Sequence, residues 1–104
     1  MTRGTTPSYE ISFKETFDFA AVDIWSVTLK QWKTEITIDD PDIDYENSKL
    51  DITLTQEQTL QFAKGTAELQ VRGVFGDGTA FASNIGCVPI NPVLDERVLG
   101  GLQE

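Results

Sequence analysis

The stretch that decides the fold runs from Thr66 to Val88 and reads TAELQVRGVF, then GDG, then TAFASNIGCV. Gly76-Asp77-Gly78 separates two runs rich in apolar residues, and this arrangement is a strong local signal for a β-hairpin. Successive side chains of a strand point to opposite faces, so a shift of one residue in the pairing exchanges the two faces. The length of the loop therefore determines which side chains enter the core.

Two loop lengths fit this hairpin. A two-residue loop, Asp77-Gly78, mixes apolar and polar side chains on each face. A three-residue loop, Gly76-Asp77-Gly78, separates an apolar face from a polar one. We prefer this second register, in which Gly78 is left-handed and the Phe81 ring covers the bare backbone of Gly73. It pairs Leu69 with Ile85, Val71 with Ser83 and Ala67 with Cys87, and it turns Glu68, Gln70, Arg72 and Asn84 to the polar face.

The composition is that of a globular chain with more acidic than basic residues. Its 104 residues predict one domain, and 39% of them are hydrophobic and 24% charged. The formal net charge of −9 argues against binding to nucleic acid or to an anionic membrane, since both need clustered Lys and Arg. No apolar run approaches the ~20 residues of a spanning helix, and the N-terminus lacks the apolar core of an export signal.

Other alternating stretches predict further strands, separated by turn signals at intervals of roughly 8 to 12 residues. Thr55 and Gln58 match a capping box, which predicts a short helical turn near 55–60. The fold class is therefore all-β, an antiparallel β-sandwich of the immunoglobulin-like or jelly-roll-like kind with about 6–8 strands. The predicted strands outside the hairpin cover 9–14, 23–32, 35–38 and 50–54, with a bend at 15–20 and an irregular loop at 39–48.

The two ends of the chain differ in character from the predicted sandwich domain at 9–90. Residues 1–8 are small and polar, and they predict a flexible arm that is disordered or loosely docked. Residues 91–104 form a C-terminal tail.

The tail fits a short helix, because Asn91 can cap it, Pro92 suits its first position and Gly100-Gly101 suits its end. Three apolar side chains would then share one helical stripe. They either cover the end of their own sandwich or reach a partner, and the sequence leaves both open. These residues are Leu94, Val98 and Leu102.

The acidic loop at 39–48 is the sharpest local candidate for a metal site. Alternating carboxylates can ligate Ca²⁺ through oxygen. The pattern departs from the helix–loop–helix calcium site at Tyr45, where that site needs glycine, and its flanks predict strands. We favour a solvated acidic loop that discourages edge pairing, and we predict no cofactor. The candidate metal ligands are Asp40, Asp42, Asp44 and Asp51.

Trp25 and Trp32 lie on one predicted strand and point to opposite faces, because their positions differ by an odd number, seven. Trp25 shares its face with apolar neighbours and is expected in the core. Trp32, at the strand end, is expected to be partly exposed, where it would pack at an edge, anchor a partner or stack on a sugar.

Cys87 is the single cysteine, so an intrachain disulfide is impossible, and we expect a buried, inert thiol. The chain contains no histidine, which excludes Cys-His and Ser-His chemistry. Composition alone leaves a carboxylate pair for glycoside hydrolysis open. Because no catalytic motif is assembled, we predict that the protein is not an enzyme.

From Asp51 the run DITLTQEQTLQFAKGTAELQVRGVFGDGTAFASNI resembles small structural proteins of tailed phages and prophages of Gram-positive bacteria. Its features are Leu-Thr-Gln-Glu at a strand end, Thr-Leu-x-Phe before a Lys-Gly turn, the Gln-Val-Arg strand and the Gly-Asp-Gly hairpin. The earlier stretches YEISFKETFDF and WSVTLKQW extend the resemblance over about residues 8–99. Similar β-domains form the N-terminal part of baseplate and tail-fibre proteins, where they attach a receptor-binding assembly to the tail.

The resemblance implies a non-enzymatic structural or adaptor protein of tail or baseplate assembly, present in the virion and made in the bacterial cytoplasm. It implies self-association, other virion tail proteins, or both as partners, and no catalytic residues. The alternative is a small carbohydrate- or calcium-binding module that uses Trp32 and the acidic loop. The residues expected at a partner interface are Trp32, Leu94, Val98 and Leu102.

Overall fold

A computed structural model of the protein describes residues 1–13 and 17–99. Two antiparallel sheets pack face to face, as predicted for an all-β sandwich, and eight strands fall within the predicted range. The strands are β1 (Ser8–Ser12), β2 (Val22–Gln31), β3 (Thr34–Ile38), β4 (Asp42–Asp44), β5 (Lys49–Thr53), β6 (Gly65–Phe75), β7 (Ala80–Ala82) and β8 (Gly86–Ile90); a 3-10 turn spans Phe19–Ala21 and a helix, α1, spans Gln56–Leu60.

The two sheets differ in width. The smaller sheet has three strands in the order β1-β5-β4, and all its pairs are antiparallel. The larger sheet has the order β3-β2-β6, and β7 and β8 follow one another along the far side of β6. The larger sheet is therefore four strands wide.

The core lies between the sheets and is made by the alternating positions that the sequence indicates. Trp25 is 4% exposed, which confirms its predicted place in the core. Because cross-strand neighbours share a face, the paired residues Val27 and Val71 of β2 and β6 are both fully buried. The largest fully buried apolar side chains are Phe62, Leu29, Leu50, Ile52 and Leu54.

The turn of the hairpin has the predicted three-residue register. Gly73 pairs with Phe81 across β6 and β7, and the amide of Ser83 donates to the carbonyl of Val71 at 2.8 Å. Gly78 has a φ of +90°, the left-handed region that glycine adopts without strain. The predicted ring-over-glycine contact is confirmed, because a Cβ placed on Gly73 would lie 2.5 Å from Cε1 of Phe81.

Beyond Ser83 the predicted register is wrong by one residue. Leu69 pairs with Gly86 rather than Ile85, and Ala67 pairs with Val88 rather than Cys87. Ser83 Oγ accepts the amide hydrogen of Val71 at 2.9 Å and donates to the carbonyl of Asn84 at 3.0 Å. The chain thus takes in one extra residue between β7 and β8, as in a β-bulge, and the faces of everything that follows are exchanged.

This exchange corrects two predictions about burial. Ile85 was predicted on the core face but is 57% exposed. Cys87 was predicted to be a buried thiol but is exposed. Val88 takes the inward position instead and is 8% exposed.

The prediction of an irregular loop at 39–48 is also wrong in part. Asp42–Asp44 forms β4, an edge strand that pairs with β5. Its central residue, Ile43, lies opposite Leu50 and packs against the core, whereas the flanking carboxylates point outward. A short edge strand tolerates charged side chains on its outward face, so the acidic residues here are compatible with a strand.

The helical turn near 55–60 is confirmed, together with its cap. Thr55 Oγ1 accepts the amide hydrogen of Gln58 at 3.1 Å, and Gln58 Oε1 accepts the amide hydrogen of Thr55 at 2.8 Å. These two bonds satisfy amide groups that the first turn of α1 leaves without helical partners.

The predicted C-terminal helix does not form within 91–99, the part of the tail that the structure describes. The Asn91 amide donates to the carbonyl of Met1 at 2.7 Å, and its carbonyl accepts the amide hydrogen of Arg3 at 3.1 Å. Backbone pairing with the N-terminal arm therefore replaces helix initiation, since two turns of helix are too short to be stable unaided. Gly100-Gly101 and Leu102 of the prediction lie outside the described residues, as do Lys14 of the first predicted strand and part of the bend at 15–20.

Replacement of Gly73 by alanine is expected to lower the free energy of unfolding by about 1–3 kcal/mol, the usual cost of overpacking. The new Cβ would lie 2.5 Å from Phe81 Cε1 and 2.9 Å from the carbonyl oxygen of Ile24, and the backbone oxygen cannot easily move. Urea unfolding followed by circular dichroism measures the change. Gly76→Ala is the control, because no atom of the described residues lies within 4 Å of its Cβ position, and a similar loss in both variants would contradict the prediction.

Candidate functional site

One end of the sandwich is built by the arm, α1 and the tail together. Thr59 of α1 is fully buried, and its Oγ1 accepts the amide hydrogen of Gly4 at 3.0 Å and donates to the carbonyl of Thr5 at 2.9 Å. The amide group of Gln56 forms two hydrogen bonds of 2.7 Å with the backbone of Leu99. The arm and the tail are thereby both held to α1.

Charged side chains also connect the arm, α1 and the tail. The guanidinium of Arg3 donates to the carbonyl of Leu60 at 2.9 Å and forms an ion pair with Glu96 of the tail. Within the tail, hydrogen bonds from Arg97, first from its side chain and then from its backbone, lower the pKa of the Asp95 carboxyl.

Large apolar side chains are exposed at this same end. β2 ends beside the start of β6, and β8 ends opposite Gly65, so Trp32 and the tail emerge from the same end of the larger sheet. Trp32 lies in the β2–β3 turn with a φ of +50° and is 77% exposed, more than the partial exposure expected. Leu94 is completely exposed and Leu99 is 58% exposed. We call Trp32, Leu94 and Leu99 the apolar end.

The predicted interface overlaps this apolar end only in part. Trp32 and Leu94 belong to it, whereas Val98 is half-buried. Because residues 91–99 are not helical, no helical stripe joins Leu94 to Val98. Leu102 lies outside the described residues, and Leu99 was missed because it falls off the predicted stripe.

A second surface is an open cleft of about 710 Å³ along the side of the sandwich. It lies between β1 of the smaller sheet and the β7–β8 side of the larger one. Since the smaller sheet is one strand narrower, Leu69 and Phe81 of the larger sheet are only half-buried there. The open cleft is lined mainly by Ile11, Phe13, Phe17, Leu69, Val71 and Phe81.

Three aromatic rings form part of the wall of this cleft. The ring centroid of Phe17 lies 5.1 Å from that of Phe13 and 5.1 Å from that of Phe81. Phe13 in turn packs edge-on against Trp25 at 5.4 Å. The wall of the cleft is therefore continuous with the core, which holds it in shape.

The outward face of the smaller sheet carries most of the acidic candidates. Asp42 lies directly opposite Asp51, and Asp51 lies opposite Glu10 on the other side. Lys49 Nζ forms an ion pair of 2.9 Å with Glu10. Hydrogen bonds from the side chain and then the backbone of Asn47 lower the pKa of the Asp44 carboxyl.

These acidic residues are spread along the sheet rather than gathered around one point. Asp40 is exposed before β4, and only Asp42 and Asp51 of the four predicted ligands face each other. Within residues 1–13 and 17–99, no three His, Cys, Asp or Glu side chains are grouped so that they could hold a metal ion.

Comparison of the chain with protein-family models, with curated proteins and with solved structures gave no match. In the part of the chain that the structure covers, no helix is long and apolar enough to cross a membrane.

Proposed function

We propose that the protein is a non-enzymatic structural or adaptor protein of a phage or prophage virion, acting in tail or baseplate assembly. The sequence resemblance suggests this class, and the apolar end is the observation that carries the adaptor role. Three large apolar side chains exposed at one end are typical of a protein-binding surface, and tryptophan is among the residues that contribute most to such interfaces.

The architecture of the apolar end suits docking. Trp32 projects from a tight turn, and the tail that carries Leu94 and Leu99 is held to α1 by side-chain hydrogen bonds. Side chains presented by a fixed backbone lose little conformational freedom on binding, so more of the buried area contributes to affinity. The partners we propose are further copies of this chain, other virion tail proteins, or both.

The proposed role predicts that the chain copurifies with virus particles. Particles would be induced from the bacterium that carries the gene, banded by density and analysed by mass spectrometry. Complementation with Trp32→Ala or Leu94→Ala is expected to lower incorporation at least tenfold, since truncation of a central interface residue typically costs about 2 kcal/mol or more.

Tyr45→Ala is the matched control for this experiment. Tyr45 is also exposed, at 57%, but it contacts Phe19 near the opposite end of the sandwich, so incorporation should be unchanged. Absence of the wild-type chain from the particles would contradict the virion role. Equal loss with Tyr45→Ala would contradict the assignment to the apolar end.

A further inference from the structure

We propose that the open cleft binds an extended strand of a partner protein, added to the edge of β1, whose side chains alternate between apolar and basic. This inference uses a different surface from the apolar end, and it holds whether or not the partner is a virion protein. It starts from the unequal width of the sheets, three strands against four. A fourth strand beside β1 would lie over the half-buried side chains of the larger sheet.

The outer edge of β1 presents backbone N–H and C=O groups that could pair with such a strand. The amide of Phe13 donates to the carbonyl of Ser48 at 3.0 Å, in the register that pairs Ile11 with Leu50. Hydrogen-bonded pairs alternate along an antiparallel ladder, so the backbone groups of the intervening residues point away from β5. Among the described residues β1 pairs with β5 alone. The outward-pointing backbone groups belong to Ser8, Glu10 and Ser12.

An added strand would fit both the outward backbone groups of β1 and the apolar lining of the cleft. Its backbone would pair with these outward groups, and every second side chain would enter the apolar space between Ile11 and Phe81. Most of the cleft lining is apolar; its polar side chains are Ser12, Ser83 and Asn84, and Ser83 Oγ is already engaged with the amide of Val71 and the carbonyl of Asn84.

The negative charge on the outward face of the smaller sheet favours basic side chains on the outward face of the added strand. The outward face of β1, β5 and β4 carries four carboxylates and one ammonium group, a formal charge of −3. A strand beside β1 would place a side chain directly next to Glu10, the first member of this acidic row. Lysine or arginine is favoured there, and a carboxylate is disfavoured. The acidic residues are Glu10, Asp51, Asp42 and Asp44, and the base is Lys49.

The same charge argues against a second copy as the occupant. Antiparallel pairing of β1 with β1 would bring two acidic rows side by side, with Glu10 near its counterpart. The partner strand is therefore expected from a different, locally basic protein.

The test uses two fluorescent nine-residue peptides, one alternating valine with lysine and one alternating valine with glutamate. At low salt the basic peptide should bind at least about tenfold more tightly than the acidic peptide. The ratio of the two affinities should shrink at 0.5 M salt. Hydrogen exchange should slow at the amides of Ser8, Glu10 and Ser12. Ser12→Pro removes an outward amide without breaking the β1–β5 ladder and should abolish binding, whereas Ser12→Ala keeps the amide and should bind normally.

Glu10→Lys provides a second variant that leaves the backbone unchanged, and it should narrow the preference for the basic peptide at least threefold. Equal binding of both peptides, no binding of either, or equal binding by Ser12→Pro and Ser12→Ala would overturn the proposal. A dimer seen by light scattering without peptide, and dissociated by Ser12→Pro, would overturn it in favour of a second copy.

Discussion

Trp25→Ala is expected to lower the free energy of unfolding by about 3–5 kcal/mol, the range for truncation of a buried large aromatic side chain. The Trp25 ring lies 4.7 Å from that of Phe19 and 5.7 Å from that of Phe81, so its loss would open a cavity between the sheets. Native domains are stable by only about 5–15 kcal/mol, so this one change removes a large part of the total. Urea unfolding followed by circular dichroism measures it.

Two further tryptophan variants separate packing from polar effects. Within residues 1–13 and 17–99 the buried Nε1 of Trp25 meets no hydrogen-bond acceptor, so Trp25→Phe deletes this donor along with part of the ring. That variant should lose clearly less stability than Trp25→Ala. Trp32→Ala, at an exposed position, should change stability by no more than about 0.5 kcal/mol. A loss below about 1 kcal/mol for Trp25→Ala would contradict the packing account.

The sequence predicts best where the interactions are local. The capping box at Thr55 depends on residues three positions apart, and the turn at Gly78 depends on a loop of three residues. The pairing of Gly73 with Phe81 adds one cross-strand contact next to that turn. Each of these features depends on a short segment, in which few arrangements compete.

The sequence predicts poorly where a distant group competes for the backbone. The register beyond Ser83 changes because the Ser83 side chain takes the amide of Val71, and no periodicity shows this in advance. Asn91 fits a helix cap by type, yet the N-terminal arm occupies its backbone groups. The open cleft is harder still to foresee, because it arises from the difference in width between two sheets.

Gln31→Glu is expected to destabilise the protein by about 2–4 kcal/mol at pH 7.5, although the two side chains have the same shape. Gln31 is 4% exposed; its Nε2 donates to the carbonyl of Ala63 at 2.8 Å, and its Oε1 accepts the amide hydrogen of Ala63 at 2.7 Å. This closed pair ties the end of β2 to the segment between α1 and β6. A carboxylate would keep the second bond but set an oxygen against the Ala63 carbonyl and bury a charge.

The pH dependence distinguishes this cause from a general loss of packing. Burial and the facing carbonyl raise the pKa of the introduced carboxyl above its ordinary value of about 4.3. The protonated form can donate to the Ala63 carbonyl, so the variant keeps most of the wild-type stability below the ordinary pKa of the carboxyl. That stability is lost as the pH rises through the raised pKa of the folded state. Urea unfolding of both proteins at pH 4 and pH 7.5 should therefore show a gap that widens with pH. The exposed Gln61→Glu should show a small gap at both values, and a gap of the same size at both pH values for Gln31→Glu would contradict the hydrogen-bond account.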